Sequence, residues 1–270
     1  MAKTRSRKAG IGLRVGVIVY LVTLVILPIL VIVWDGLREG LDEFWHQISL
    51  PIAWHALKLT FLTSGLMVVV NVIMGTLIAY VLVRYDFGGK RLLNAVIDLP
   101  LAIPTLVTGV MLVILYGPQQ VLGAWLKDAL GLSIIFAPPG IVLALLFITL
   151  PFVVRSVQPV LQNLDRVQED AAATLGASRW MIFRRIVLPA LLPAILSGAL
   201  LSFSRAIGEF GSVVIVAGNI PLYSQTAAVY VFGEVESENR LGASAVSLVL
   251  ILVSFTLMLL VNRVQKAMHK

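Results

Sequence analysis

Apolar runs long enough to cross a membrane recur along this chain, and they restrict its fold more than any other feature. The first run, 15–34, has 20 residues. About twenty helical residues span the ~30 Å hydrocarbon core of a bilayer. Because lipid cannot pair with backbone polar groups, only helices and closed barrels cross it, and runs of this length predict helices. The sequence therefore predicts an all-α membrane protein of about six transmembrane helices, at approximately 15–34, 57–83, 92–116, 139–159, 190–216 and 243–263.

The composition supports lipid as the solvent and excludes several classes of function. Hydrophobic residues make up 59% of the chain and charged residues only 13%, whereas soluble domains carry about 25% charge. The net charge of +7 lies between the apolar runs, without interleaved aromatics, so no nucleic-acid partner is predicted. The absence of cysteine excludes disulfides and thiol catalysis, and the three histidines lack metal-ligand spacing, so no metal site is predicted.

The distribution of basic residues predicts the orientation and the domain organisation. Sixteen of the 21 Lys and Arg residues fall in alternate segments and their helix ends, against three in the segments between them. The positive-inside rule then predicts a multi-pass membrane protein with both termini in the cytoplasm. The first run is longer than a signal peptide and has no cleavage motif after it, so we expect a retained helix. The predicted parts are a cytoplasmic tail 1–14, a transmembrane domain 15–263 with an inner loop 160–189, and a cytoplasmic tail 264–270.

A few polar and charged side chains interrupt the predicted spans. Arg205 and Glu209 lie four residues apart in the fifth span, where they form an ion pair that fixes helix packing or line a path for an anion. Ser204 and Thr105 are candidate hydrogen-bond donors to that anion. Asp98 in the third span is expected to pair with Arg91 or to cap a helix after Pro100, in preference to a transport role. The segment 37–50 either lies along the outer interface or forms a solvated loop.

The inner loop has the pattern of a helix, a break and a second helix. Ala171, Ala172 and Leu175 favour a helix, Gly176 provides its stop, and Ser178 can cap the helix that follows. Small residues next to exposed apolar ones suit docking into a groove on another protein.

This loop resembles the motif of permease subunits of bacterial ABC importers: Glu-Ala-Ala, three residues, Gly, nine residues, Ile-x-Leu-Pro. The chain keeps every spacing, with Asp170 in the place of the motif's Glu and Glu169 directly before it. The resemblance implies a type I ABC importer permease fold, in which this loop is a cytoplasmic coupling helix seated in an ATPase. The residues that match or flank the motif are Glu169, Asp170, Ala171, Ala172, Gly176, Ile186, Leu188 and Pro189.

The resemblance also implies the partners. They are a pair of cytoplasmic ATP-binding subunits, a second permease subunit that is a paralogue or a copy of this chain, and an extracytoplasmic binding protein. The chain has no Gly-x-x-x-x-Gly-Lys-Ser/Thr phosphate loop, so it is not expected to be an enzyme, and ATP and magnesium are expected only on the partner.

Between about residues 57 and 261 the chain is similar to sulfate/thiosulfate permease subunits. The segments that carry the similarity are 98–105, 151–160 and 204–211, although the Gly-Glu-Phe-Gly unit in the last is shared with molybdate permeases. The expected function is sulfate or thiosulfate import driven by ATP. Molybdate or tungstate import is the alternative, as is, from a different class, a stand-alone secondary anion transporter. The sequence leaves open the preferred oxyanion and the choice between the family's T and W subunits.

Overall fold

The structure, a computed structural model, describes residues 13–268, with side-chain surroundings for 13–266. The predicted tails therefore lie mostly outside the described residues. All regular secondary structure in the described residues is helical. The helices are α1 (Leu13–Leu37), α2 (Leu41–Ser49), α3 (Pro51–Arg84), α4 (Lys90–Ala102), α5 (Thr105–Tyr116), α6 (Val121–Leu130), α7 (Pro138–Asn163) and α8 (Arg166–Thr174), α9 (Arg179–Ile207), and α10 (Gly211–Ala217), α11 (Ala227–Glu236) and α12 (Arg240–Met268).

Five of these helices, α1, α3, α7, α9 and α12, are each long and apolar enough to cross a membrane, and α4 with α5 forms a sixth, bent candidate. α3 and α7 run parallel, since Asn71 donates to Thr149 near their middles and both helices end close to α8. The segment between them must therefore carry the chain back across the bundle. Six crossings confirm the predicted number. We call the end that holds Arg84, Lys90 and α8 the basic end, and the other the opposite end.

The core of the bundle lies between α3, α7 and α9, where small residues allow close helix contact. A Cβ placed on Gly75 of α3 would lie 2.9 Å from Val153 Cβ, and one placed on Gly198 of α9 would lie 2.9 Å from Val153 Cα. Lipid supplies no hydrophobic driving force between helices, so such close van der Waals contact is what holds membrane helices together. The buried side chains around this contact are Val153, Val154, Val157, Leu161, Val187 and Leu191.

The third predicted span, 92–116, is not a continuous helix. α4 and α5 meet at 111°, because Pro104 has no N–H to donate and Ile103 before it adopts an extended conformation (φ −80°, ψ 129°). Pro100, the other proline of this span, is buried inside α4 and does not break it.

The fifth predicted span, 190–216, is not one continuous helix, and the helix that contains its start begins earlier. α9 begins at Arg179 and includes a π-helical turn, Phe183–Val187, directly before Pro189. A proline clashes with the carbonyl four residues earlier, and the wider turn accommodates it. At the other end α9 stops at Ile207, and a second helix, α10, starts at Gly211. The predicted span therefore contains a break at 208–210.

The segment 37–50, expected to lie along the outer interface or to form a solvated loop, contains a helix, α2. Phe44 and Ile48 pack on the core formed with α3, α11 and α12, while Trp45 is exposed. α6 and α11 lie in segments where no helix was predicted.

Candidate functional site

The corner between α8 and α9 is built by three local hydrogen-bond motifs. The Asp165 carboxylate accepts from the Val167 N–H (2.9 Å) and caps α8, and Ser178 Oγ accepts from the Met181 N–H (3.2 Å) and caps α9. Between them Gly176 has φ +85°. Its N–H donates to Ala173 O, and that of Ala177 donates to Ala172 O, both at 3.0 Å. This is a Schellman motif, whose left-handed residue is usually glycine. The predicted helix, glycine stop and serine cap are confirmed.

Large apolar side chains are exposed around this α8–α9 corner. Leu175 is 89% exposed, Trp180 67% and Val167 67%. All three lie outside the predicted spans, among polar residues at the basic end, where lipid is not expected to cover them. An exposed apolar patch with a polar rim is typical of a protein-binding surface.

Two adjacent carboxylates of α8 have different surroundings. Glu169 forms an ion pair with Arg84 at the end of α3, and the two side chains are only 17% and 9% exposed. Asp170 is exposed and has no ion-pair partner within residues 13–268. Glu169 therefore ties the corner to the bundle, and Asp170 is the carboxylate that faces outward.

An aromatic chain makes a second connection from the corner to α3. Trp180 stacks on Phe183 with ring centroids 5.7 Å apart, and Phe183 meets Tyr80 of α3 edge-to-face at 5.7 Å. With two connections to α3, a force applied to the corner reaches a membrane-spanning helix directly.

The three remaining motif residues lie away from the exposed patch. Ile186 belongs to the π-helical turn, and Leu188 and Pro189 continue α9 toward the membrane. Leu188 packs against the core between α3, α7 and α9. In this structure these residues anchor α9, and the outward-facing surface is formed by the earlier part of the motif.

The breaks after α4 and after α9 meet inside the bundle. Thr105, the first residue of α5, packs so tightly on Gly211 that a Cβ there would overlap its hydroxyl, and a Cβ on Gly109 would lie 2.9 Å from Ser212 O. Glu209 stands in the second break, 3% exposed, and its Oε1 accepts from both the N–H and the hydroxyl of Ser212 at 3.0 Å. Unwound backbone at membrane depth occurs where it is covered by protein or lines a cavity.

The ion pair predicted between Arg205 and Glu209 is present, with Arg205 Nη1 2.7 Å from Glu209 Oε2. The two residues do not lie along one helix, because Glu209 follows the end of α9 and instead holds the start of α10. Ser204 and Arg205 are partly exposed on the last turn of α9. The structure thus brings Arg205, Glu209 and Thr105 to one region.

A second charged cluster lies nearer the basic end, and the sequence reasoning placed its aspartate with the wrong partner. Asp98 does not pair with Arg91; it pairs with Arg155 of α7 (Arg155 Nε to Asp98 Oδ1, 2.8 Å). Asp98 is two helical turns from Arg91, beyond the reach of a direct ion pair, while α7 packs alongside. Arg155 was not among the candidate site residues predicted from the sequence. The signal that was available is the polar spacing Asn94, Asp98 on one face of α4.

Arg155 and Arg205 differ in how many of their N–H donors have an acceptor in the protein. All five N–H groups of Arg155 are used, on both carboxylate oxygens of Asp98, on Asn94 Oδ1 (2.9 Å), on the Asn94 carbonyl (2.9 Å) and on Gln158 Oε1 (2.6 Å). Within residues 13–268, Glu209 is the only ion-pair or hydrogen-bond partner of the Arg205 guanidinium. Arg155 therefore joins α4 to α7, while Arg205 keeps donors free for another acceptor.

The two clusters lie at different depths. Ser202 of α9 donates to the carbonyl of Thr149 (3.3 Å), which fixes the register of α9 against α7. Arg155 follows Thr149 by six residues toward the basic end, and Arg205 follows Ser202 by three toward the opposite end. At 1.5 Å per residue the clusters are about 14 Å apart along the bundle.

Comparison with known proteins gives relatives over nearly the whole chain. Residues 71–270 match the family described as "Binding-protein-dependent transport system inner membrane component". A probable sulfate transport system permease protein cysT of Nephroselmis olivacea is 42% identical, over 94% of this chain and 89% of its own length. The sulfate transport system permease protein CysT of Synechocystis sp. is 42% identical, over 92% and 87%.

Solved structures agree on the fold. A chain of a bacterial alginate ABC transporter, in complex with its alginate-bound periplasmic protein, has a TM-score of 0.79 and 17% identity, over 99% of this chain and 97% of that one. The MetNI methionine ABC transporter in inward-facing conformations has a TM-score of 0.55 and 17% identity, over 80% and 93%. The predicted type I ABC importer permease fold is confirmed. A permease of this kind operates with ATP-binding subunits and a substrate-binding protein and is not itself an ATPase. The chain is the permease subunit of an ABC importer and belongs to the family of binding-protein-dependent transport system inner-membrane components.

Proposed function

We propose that this permease imports sulfate or thiosulfate across a bacterial inner membrane, as the T-type subunit of its transporter. The observation that carries the proposal is the identity of about 40% to sulfate transport permeases over nine-tenths of the chain. An arginine that keeps free donors beside a break in the membrane helices, Arg205, is consistent with an anionic substrate. A binding protein on the outer side would deliver the anion.

The basic end faces the cytoplasm in this proposal, and both termini lie there. The excess of Lys and Arg at this end supports the orientation. The α8–α9 corner then projects from the membrane as the coupling element, with Leu175 and Trp180 seated in a groove of an ATP-binding subunit and Asp170 at its edge. ATP and magnesium would be held by that subunit pair, and no cofactor by this chain.

A second permease subunit, a paralogue or another copy, completes the path. In one chain the side chains of Asp98 and Arg205 are 46% and 36% exposed within the spanning region. Charged groups at such depth face protein or water and not hydrocarbon. The surface that carries them therefore turns toward the partner permease, and the anion passes between the two subunits.

Removal of the exposed apolar side chains at the corner should release the ATP-binding subunits. We expect Leu175→Ser with Trp180→Ala to reduce ATPase co-purification at least tenfold, because truncation of central aromatic anchors typically costs about 2 kcal/mol or more. Val121→Ser, an equally exposed apolar residue at the opposite end, is the control. Retention of the ATPase at the wild-type level by the double variant would contradict this docking surface.

The substrate is tested with the assembled transporter in proteoliposomes supplied with its binding protein. We expect ATP-dependent accumulation of radiolabelled sulfate and competition by thiosulfate. Molybdate uptake that excess sulfate does not reduce would replace the proposed substrate by the molybdate alternative. Uptake that needs no ATPase would favour a secondary transporter.

Arg205→Gln should slow sulfate uptake about tenfold while the complex stays assembled. The guanidinium offers charged donors to the anion, and hydrogen bonds to charged groups contribute about 1.5–3 kcal/mol. Lys58→Gln removes an exposed cation from α3 and serves as the matched control. Equal uptake rates and half-saturation concentrations for Arg205→Gln and the wild type would reject a path role and leave the ion pair with Glu209 as a packing element.

A further inference from the structure

A polar crevice opens at the basic end, between the end of α3, the start of α4 and the end of α7. Its volume is about 410 Å³, and its polar lining comes from Asp86, Lys90, Arg91, Asn94, Gln158 and Gln162. None of these residues belongs to the α8–α9 corner or to the region of Arg205. The crevice is therefore separate from both sites described above.

The Arg155 network fixes which way two of the lining amides face. A guanidinium has donors and no acceptor. Asn94 and Gln158 therefore present their oxygens to Arg155, at 2.9 Å and 2.6 Å. Their NH₂ groups must point away from it. Asn94 Nδ2 makes no hydrogen bond within the described chain, and Gln158 Nε2 makes a single long one, 3.4 Å, to Asn94 Oδ1. Both amides thus offer donors to the crevice.

The charges around the crevice leave one cation uncommitted. Lys90 Nζ lies 2.7 Å from Asp86 Oδ1, and its hydrogen bond lowers the pKa of Asp86, which stays ionised and offsets the lysine charge. Arg91 forms no ion pair within residues 13–268 and is exposed. The lining therefore combines one free guanidinium with amide donors, while its one carboxylate is already paired. The N-terminus of α4, which begins at Lys90, adds a positive partial charge.

We propose that this crevice binds a tetrahedral oxyanion group, sulfate or phosphate, with Arg91 as the charge partner and the Asn94 and Gln158 amides as donors. A water occupies about 30 Å³ in the liquid, so the crevice has room for such a group with some of its water. An anion held by these groups contacts α4 and α7 together and stabilises the arrangement of their ends. The group is either a free anion or the phosphodiester of an anionic phospholipid. The proposal goes beyond the import function, and it can fail while that function holds.

The test compares two charge-neutralising variants of the purified transporter without its binding protein. Arg91→Gln removes the crevice cation, whereas Arg263→Gln removes an exposed cation of α12 that does not line the crevice. The melting temperature (Tm) of each complex is measured in neutral detergent at increasing concentrations of sodium sulfate. Sodium chloride keeps the ionic strength constant. For a free anion we expect a saturable rise in Tm for the wild type and Arg263→Gln, and an apparent affinity about tenfold weaker for Arg91→Gln. Gln162→Leu, a second lining variant, should weaken binding in the same direction.

A second arm identifies a lipid source. The same complexes are exchanged into phosphatidylcholine nanodiscs containing phosphatidylglycerol, and retained lipid is counted by native mass spectrometry. If the group is a phosphodiester, phosphatidylglycerol stays on the wild type and Arg263→Gln and is lost from Arg91→Gln, with no Tm response to sulfate. The proposal is overturned if the wild type binds neither ligand, or if Arg91→Gln and Arg263→Gln behave alike in both arms. Sulfate uptake measured on the same preparations shows whether import itself is intact.

Discussion

Asp98→Ala is expected to reduce the rate of sulfate uptake more than tenfold and to lower the stability of the permease. The substitution leaves two N–H groups of Arg155 without acceptors, and an unsatisfied charged donor costs roughly 1–3 kcal/mol or more. It also weakens the link between the bent segment α4–α5 and α7, because Asp98 accepts from Nε and Nη2 of Arg155, two of the four hydrogen bonds that join Arg155 to α4. A loss of about 1.4 kcal/mol from one of two conformations already shifts their ratio tenfold.

The comparison of stability with uptake separates packing from a role in the transport cycle. In Asp98→Leu with Arg155→Met, apolar side chains replace the charged pair, and such replacements are often neutral or stabilising. We expect this double variant to melt near the wild-type temperature while uptake remains low, because the network that positions α4 is gone. Asp128→Asn, an exposed carboxylate on α6, is the control. Wild-type uptake by Asp98→Ala would contradict the proposed role, as would full recovery of uptake in the double variant.

Glu169→Gln and Asp170→Asn should damage the transporter in different ways although they are neighbours. Glu169→Gln breaks the largely buried pair with Arg84, which we expect to contribute about 1–3 kcal/mol, more than an exposed ion pair. The ATP-binding subunits should remain bound and hydrolyse ATP, while sulfate transported per ATP falls severalfold. Asp170→Asn leaves that pair intact and alters only the outward surface, so we expect weaker ATPase retention at an unchanged transport ratio.

Exchange of the two charges provides the decisive control. Arg84→Glu with Glu169→Arg restores an ion pair of opposite direction between α3 and α8, and the transport ratio should recover at least in part. Arg84→Gln alone should resemble Glu169→Gln. If Glu169→Gln lost the ATPase and Asp170→Asn kept it, the assignment of the two carboxylates would be reversed.

The local features of the α8–α9 corner were predictable from the sequence because they depend on neighbouring residues. The stop at Gly176 and the cap at Ser178 each involve hydrogen bonds within about five residues. The partner of Glu169 was not predictable in the same way. Arg84 is 85 residues away in the chain, and nothing local distinguishes it from the other basic residues at that end.

The same distinction explains the errors in the spans. Hydropathy located all six crossings. It did not show that the third is divided by a bend at Pro104, or that the fifth is divided by a break after Ile207. Pro100 and Pro104 have the same missing N–H, but only one interrupts the helix. The difference is in the backbone, since Ile103 before Pro104 is extended whereas Pro100 lies inside α4, and hydropathy does not register it.

The sequence by itself determined that the chain crosses a membrane as helices, how many times, and that the loop 160–189 has a helix, a glycine stop and a second helix, because these follow from apolar length and short-range backbone chemistry. Tertiary structure alone decided which charged side chains have all their hydrogen-bonding groups occupied by protein partners. It saturates Arg155, leaves donors of Arg205 free, and turns two amides toward a crevice. The physical reason is that a buried charge takes its properties from the groups that reach it across helices, and these pairings arise only when the helices pack.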